Sequence, residues 1–439
     1  MGIAKKLSPI AALALSGSVL AAWGPATMAA SHHAAGASKK TLKIIMWVNP
    51  PAVAAVTKID KEFQKKYGVK VQLETAANDQ AGYGALQQTA VQGGTADIMA
   101  IEPFDPMPYK QNTTTLSSVQ EWAEHGVFAP LNGQSYLSHF SKTDLAAAAY
   151  KGKDYGMVTG VYQTGLFYNK TIFAKYHLAV PTTYNQFVQV SKKLKSHGVT
   201  PVWTGIGNGA TFYLEFAMFP LMLDQLPQYS VSSALASGKL KWTNSAMITT
   251  FAHERAFFSN YVEKNFAGQN WQQMPGDFAA GKAAMLLDGS WDLPSVLKAN
   301  PHMKIGFFPF PGSNKASNNL PVANPDLTWT VLNNSPNKAL AEKWLAFFAS
   351  KPIYSQYVSM TGISPSELGS YHNQDATIMG KWFGVGRVIQ QSPNFLVASG
   401  PNYLQPTNFW AEQLNMVQGQ VSPKALAKVY QSAQQQALK

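Results

Sequence analysis

The densest carboxylate group in the sequence is Asp97, Glu102 and Asp105, in a loop that follows a short apolar run. Two carboxylates flanking a glycosidic bond can serve as general acid and base, but their separation decides the mechanism, and sequence does not give it. No other catalytic constellation has the spacing its chemistry needs. There is no G-x-S-x-G elbow, no G-x-x-x-x-G-K-[ST] phosphate loop, no H-E-x-x-H metal helix and no G-x-G-x-x-G opening a helix. The nine histidines are scattered: His32-His33 sits near the N-terminus and His253-Glu254 lacks a second His four residues on, so both read as solvated side chains rather than ligands. Zero cysteines exclude disulfides, thiolate zinc sites, iron-sulfur clusters and cysteine nucleophiles. The reading is a protein that is not an enzyme, with no catalytic residue, no metal and no cofactor.

The positive signal is aromatic. Trp47, Phe104, Tyr162, Phe212, Tyr213, Trp291, Trp329 and Trp410 fall at expected strand ends or in loops, near the amides and carboxylates Asn49, Glu102, Gln163, Asn208, Asp288 and Asn408. A pyranose offers flat C–H faces that pack on an aromatic ring and a rim of hydroxyls that need fixed donors and acceptors. Residues of both kinds side by side therefore suit a sugar. Large aromatics also fill cores, and for any one of these rings that is the competing reading; Trp122, Trp203 and Trp344 are assigned to the core outright.

The elements that must position these residues alternate along the chain. Thr41 to Asn49 is a short apolar run ending at Pro50-Pro51 and suits a buried parallel strand. Val56, Ile59 and Phe63 then share one helical face, with Gly68 placed to cap its C-terminus, and Val69, Val71 and Leu73 alternate as a second strand. Strand, helix and strand make a right-handed βαβ unit with a parallel sheet. Downstream, Thr183 and Gln186 form a capping box before a helix through Phe187, Val190 and Leu194 that stops at Gly198; Val199 to Thr204 reads as a strand. A further helix is expected from Asn337 to Ala349. Such alternation signals an α/β protein with helices on both sheet faces.

Composition bounds the partners. The 439 residues are 46% hydrophobic and 13% charged, which excludes disorder and coiled coil. The net charge of +12 arises from scarce carboxylates, 23 against 35 Lys plus Arg, and the basic residues never run beyond pairs such as Lys65-Lys66 and Lys192-Lys193. Nucleic acid is therefore not expected as a partner. Few carboxylates also mean few ionic pairings to lose on protonation, which suggests an acidic habitat.

Lys5 and Lys6, an apolar run from Pro9 to Trp23 and the small residues that follow read as a secretory signal, with the mature chain starting between Ser31 and Ser38. No later segment has the roughly 18 consecutive apolar residues of a membrane helix.

At these residues the sequence resembles the extracellular solute-binding proteins of ABC importers, family 1, in the sugar-binding branch that includes maltose-binding protein. The likeness runs from Thr41 to the C-terminus. Its pieces, in order, begin with Ala96-Asp97-Ile98-Met99, Gly152-Lys153-Asp154-Tyr155-Gly156 and Phe167-Tyr168-Asn169-Lys170 with Ile172-Phe173. They continue with the Pro181-Thr183-Tyr184 helix start, Phe278-x-x-Gly281-Lys282-Ala283-Ala284-Met285 with Gly289 and Trp291, and Pro309-x-Pro311-Gly312. Ser335-Pro336-Asn337-Lys338 with Ala341 and Trp344, and Gly362-x-x-Pro365, complete the series. Each piece alone is weak; their order behind a signal peptide is specific.

The resemblance implies an α/β, two-lobed periplasmic-binding-protein type II fold with a hinge and a ligand cleft between the lobes. It implies residues 1–37 as signal peptide and flexible N-terminus, 41–161 plus 330–371 as the N-terminal lobe and 164–326 plus 376–439 as the C-terminal lobe. Crossovers are implied near Tyr162 to Thr164, Asp326 to Thr330 and Tyr371 to Asp375. Trp47, Asn49, Glu102, Phe104, Tyr162, Gln163, the Asn208 to Tyr213 loop with Phe212, Asp288, Trp291, Trp329 and Trp410 are the implied ligand-binding set. The implied function is extracytoplasmic capture of a sugar, an oligosaccharide, by a monomer that delivers it to the membrane permease subunits of an ABC transporter. The place is the cell exterior or surface, or the periplasm where an outer membrane exists. Alternatives are a binding protein for a glycerophosphodiester or polyamine, or a secreted glycoside hydrolase.

Two departures from the family pattern matter. Relatives usually carry Asp or Glu, and often Arg, where this chain has Tyr162-Gln163-Thr164. Leu20-Ala21-Ala22-Trp23-Gly24 resembles a lipoprotein processing box with Trp in place of the lipid-bearing Cys.

Overall fold

Pro50 and Pro51 end the first strand and start the first helix in one step. Proline lacks an N–H and fixes φ, which a helix tolerates in its first turn alone. Strand β1 accordingly spans Thr41–Trp47, and Asn49 caps the Pro50–Tyr67 helix by accepting from the Ala52 N–H at 3.2 Å. The helix ends at Gly68 in the left-handed conformation, φ 68°. Its buried stripe, Val56, Ile59 and Phe63, is the expected one.

The computed structural model describes residues 41–78, 80–102, 104, 118–207, 210–226, 231–236, 238–388 and 406–437. Asp105 and Asn208, and the side chains of Asn408 and Trp410, lie outside that description. Lys39–Lys439 make one compact unit. Among the described residues no helix is long and apolar enough to cross a membrane.

Among the described residues fourteen strands follow in chain order: β1, β2 (Lys70–Ala76), β3 (Ile98–Ile101), β4 (Ala149–Tyr150), β5 (Lys153–Asp154), β6 (Met157–Val158), β7 (Gly160–Asn169), β8 (Val202–Trp203), β9 (Met285–Gly289), β10 (Ile305–Phe308), β11 (Val322–Pro325), β12 (Thr328–Val331), β13 (Ser364–Pro365) and β14 (Arg387–Val388). One sheet has the order β2-β1-β3-β12-β6. A second runs β14-β11-β7-β9-β8, with β10 and β13 also pairing β7, and β4 pairs with β5 alone. Each of the two larger sheets has its own core. Phe63, Trp329, Trp344 and Phe348 belong to the first, Phe187, Trp242, Phe257 and Tyr430 to the second.

The expected parallel sheet holds only in part. β1 pairs parallel with both β2 and β3, as a βαβ unit requires. β12 returns antiparallel beside β3, and β7 pairs antiparallel with β9, β10, β11 and β13. The cause is connectivity: strands that enter a sheet from the other lobe need not follow a crossover helix, so they are free to run antiparallel. The Val199–Thr204 strand shortens to Val202–Trp203. In the capping box Thr183 does accept from the Gln186 N–H at 3.3 Å, but Gln186 reaches back to the N–H and hydroxyl of Thr182 rather than to Thr183.

The chain changes sheet at Thr159, between β6 and β7, and again at Asp326 and Leu327, between β11 and β12. These two passages are bonded to each other. The Thr159 hydroxyl donates to the Leu327 carbonyl at 2.7 Å, and the Asp326 N–H donates to the Gly160 carbonyl at 2.8 Å. Tyr354 braces them by donating to the Thr159 carbonyl at 2.6 Å. Gly160 is needed there because a Cβ would meet the Ser364 carbonyl at 2.6 Å.

Candidate ligand-binding cleft

Trp291 owes its position to the residue two before it. β9 ends at Gly289, and the chain turns back through Ser290 so that the indole lies over the Gly289 backbone, where any side chain would collide with it. The ring then meets Tyr162, presented by β7 from the far side, edge to face with centroids 4.9 Å apart and planes at 83°. Phe216, 5.7 Å away, and Tyr213, 6.4 Å away, back the indole from below. Both Trp291 and Tyr162 stay half-buried.

Opposite this corner stand Asn49 and Ala52, from the start of the first helix. With Tyr162, Ser290, Trp291 and Asp326 they line a narrow pocket of about 10 Å³, closed by Thr361 and Ile363. Its walls thus come from both lobes and from the passage at Asp326 between them. Burial pushes the Asp326 carboxyl up to about 6. Tyr162 is raised as well, first by burial and then by the negative charge of Glu102, which is itself exposed; the phenol therefore stays neutral and acts as a donor or acceptor.

The structure brings Asn49, Tyr162 and Trp291 together, with Glu102 close enough for its charge to act on Tyr162. Phe212 is half-buried, one ring further out against Tyr213 and Phe216. The remaining described residues of the expected set are interior. Trp47 is 6% exposed and packs edge-on to Tyr83, 5.6 Å away. Phe104 stacks between Tyr150 and Tyr155. Trp329 is fully buried against Trp344 and Phe348. Tyr213 is fully buried beneath Trp291 and donates to Asp288 Oδ1 at 2.9 Å.

Gln163 points to the opposite face of β7 from Tyr162, as successive strand residues must. Its carboxamide donates to the carbonyls of Trp382 and Val385 and accepts from the Gly384 N–H at 2.9 Å, so it holds a turn in place. Asp97 does not share a loop with Glu102, because β3 runs between them, and it is structural too. It accepts from the Lys43 N–H at 2.7 Å, the Ser335 hydroxyl at 2.6 Å and the Asn337 amide at 3.2 Å, tying β1 to the start of the Lys338–Phe348 helix. Ser290 and Asp326 line the same pocket but are not in the expected ligand-binding set, where Asp326 figures only as the start of a crossover. Their signals were adjacency to Trp291 and position at a passage between lobes.

Among the described residues no group of three or more His, Asp or Glu could hold a metal ion. What the arrangement offers is a flat aromatic corner with amide, hydroxyl and carboxyl groups around it, set where two lobes meet.

Two lobes, each with its own sheet and core, joined by bonded crossover strands over a cleft, define the type II periplasmic-binding-protein fold. The chain belongs to the bacterial extracellular solute-binding proteins, whose family model matches residues 48–353. It is 25% identical over 329 residues to the multiple sugar-binding protein of Streptococcus mutans, covering 70% of this chain and 71% of that one. It is 22% identical to a melibiose/raffinose/stachyose-binding protein of Bacillus subtilis, covering 77% of each. Among solved structures, the solute-binding protein RafE in complex with raffinose superposes with a TM-score of 0.75 at 19% identity, over 91% of this chain and 100% of that one. A chitin oligosaccharide binding protein gives the same TM-score at 18% identity, over 91% and 98%.

Proposed function

We propose that this protein captures an oligosaccharide outside the cytoplasmic membrane and delivers it to the permease subunits of an ABC transporter, without altering the sugar's bonds. The observation that carries this is the Trp291–Tyr162 corner facing Asn49 across the pocket between the lobes. A ring of C–H groups laid on Trp291 gains apolar contact, while its hydroxyls find Asn49, Ser290 and the carboxyl of Asp326. The curated relatives with sugar-binding names support the same ligand class.

A ligand seated there touches both lobes, so it makes more contacts when they are together than when they are apart. It shifts the balance between the two forms by that difference in affinity, and the permease reads the closed one. Asn49, Glu102, Tyr162, Phe212 and Trp291 carry the binding, with Asn208 and Trp410 as further contacts; Trp47, Gln163, Phe104, Tyr213, Asp288 and Trp329 serve by holding the walls. Residues 41–161 with 330–371 form one gripping half, and 164–326 with 376–439 the other. The protein acts as a monomer, exported by its N-terminal signal.

Calorimetric titration with raffinose, stachyose, maltose and chitin oligosaccharides tests this. One-to-one binding of a member, recovered chemically intact after long incubation, is the expected result. Turnover to reducing sugar, or heat only with polyamines or phosphodiesters, overturns it.

A further inference from the structure

We propose that Asp288 and Asp292 act as a proton-sharing pair that positions Trp291. The two carboxyls bracket the Gly289–Ser290–Trp291 turn and are 0% and 4% exposed. Each acts on the ionisation of the other, and Trp291 and Tyr213 act on Asp292 as well. Asp288 Oδ1 is fully used, accepting from the Tyr213 hydroxyl at 2.9 Å and the Gly289 N–H at 2.7 Å. Oδ2 of each acid has no protein donor. Two buried acceptors with nothing to accept are costly, and two carboxylates this close cannot both ionise; a proton on one, donated to the other, satisfies both.

The turn they bracket is the one that carries the platform. Ser290 Oγ accepts the Gln163 N–H at 3.2 Å, which fixes the turn to β7, and the acid pair fixes it from beneath. The titratable group facing Asp288 is Tyr213, from the Thr211–Leu214 turn. Tyr162, with Glu102, Glu215 and Asp326 acting on it, lies across the far edge of Trp291. Among the described residues no Lys, Arg or His acts on either carboxyl, so a proton rather than a cation must hold the pair. Burial raises both acids, Asp292 to about 7. The number of protons on the pair therefore changes near neutrality, and with it the support under the indole.

The geometric claim stands without a ligand, while its consequence for affinity rests on the sugar-binding reading. The test follows the Trp291 indole ¹⁵N–¹H resonance, assigned by its loss in Trp291→Phe, from pH 6 to 9. In the wild type the signal titrates. In Asp288→Asn the amide supplies a permanent donor to Asp292, so the signal stays flat across the same range; Asp292→Asn is the second variant, with the same expectation. A wild-type signal that does not move, or a titration unchanged in a folded variant, overturns the proposal. Raffinose titration over the same range should show affinity falling at least threefold in the wild type and less in Asp288→Asn. A protein whose indole titrates as expected but binds no raffinose keeps the pair and counts against the sugar reading alone. A protein that binds raffinose with a pH-invariant indole keeps the sugar reading and loses the pair.

Discussion

Asp60 gives the most direct handle on the energetics of the fold. It sits on the Pro50–Tyr67 helix, 4% exposed, accepting from the Trp344 indole N–H at 2.8 Å while its second oxygen has no partner. Burial raises its carboxyl from 3.8 to about 7, with the Trp344 bond pulling it partly back. A carboxyl raised in the folded state favours the fold when protonated. Its contribution is therefore complete below the unfolded value, near 3.8, and is lost as pH rises towards 7. A shift of about three units is worth about 4 kcal/mol, or on the order of 10 °C in melting temperature. Asp60→Asn keeps an acceptor for Trp344 and removes the ionisation. The variant should melt near the wild type at pH 4 and above it at pH 7, and comparing the two chains at each pH cancels the general effect of net charge. Calorimetric melts at pH 4, 5, 6 and 7 measure this; a difference between the chains that does not grow with pH refutes the reasoning.

The same direction holds at Glu254, Asp288, Asp292 and Asp375, all buried and all raised. Glu254 Oε2 and Gln413 Oε1 are both unpartnered beside the bond from the Gln413 amide to Glu254 Oε1, an arrangement that protonation of the acid would complete. The wild-type protein is accordingly expected to be at least as heat-stable at pH 4.5 as at pH 7.5 in circular-dichroism melts. Trp291→Ala should weaken sugar binding ten- to a hundredfold, about 1–3 kcal/mol for one lost aromatic face, with little change in melting temperature. Trp329→Ala should do the reverse, costing about 3–5 kcal/mol in denaturant unfolding because it empties a fully buried site. Gln163→Ala leaves two carbonyls and an N–H without their partner and should lower stability by about 2–4 kcal/mol, measured the same way.

Much of the fold was legible because it rests on local rules. Pro50-Pro51 after an apolar run, Gly68 after a helical stripe, and Thr183 three residues before Gln186 each mark an element end by a mechanism that acts within a few residues. Sheet direction was less legible. β12 and β7 are placed by contacts with strands far away in sequence, and nothing near Trp329 or Gln163 encodes whether a neighbour runs parallel. The candidate site divides along the same line. Trp291 and Tyr162 sit at the lobe boundary, which the family pattern locates. Trp47, Phe104 and Trp329 share their residue type and their nearness to strand ends, yet they face inward. In a sheet covered by helices both faces are apolar, so the alternation that separates inside from outside is absent.

In the proposed function Trp291 and Tyr162 present a sugar to a closing pair of lobes. A crystal structure with the tightest-binding oligosaccharide tests it most directly. The expected complex has a pyranose ring lying on the Trp291 indole, with its hydroxyls reaching Asn49 from the other lobe. A sugar bound elsewhere, or a complex in which Trp291 makes no contact with it, would refute that role for the Trp291–Tyr162 corner.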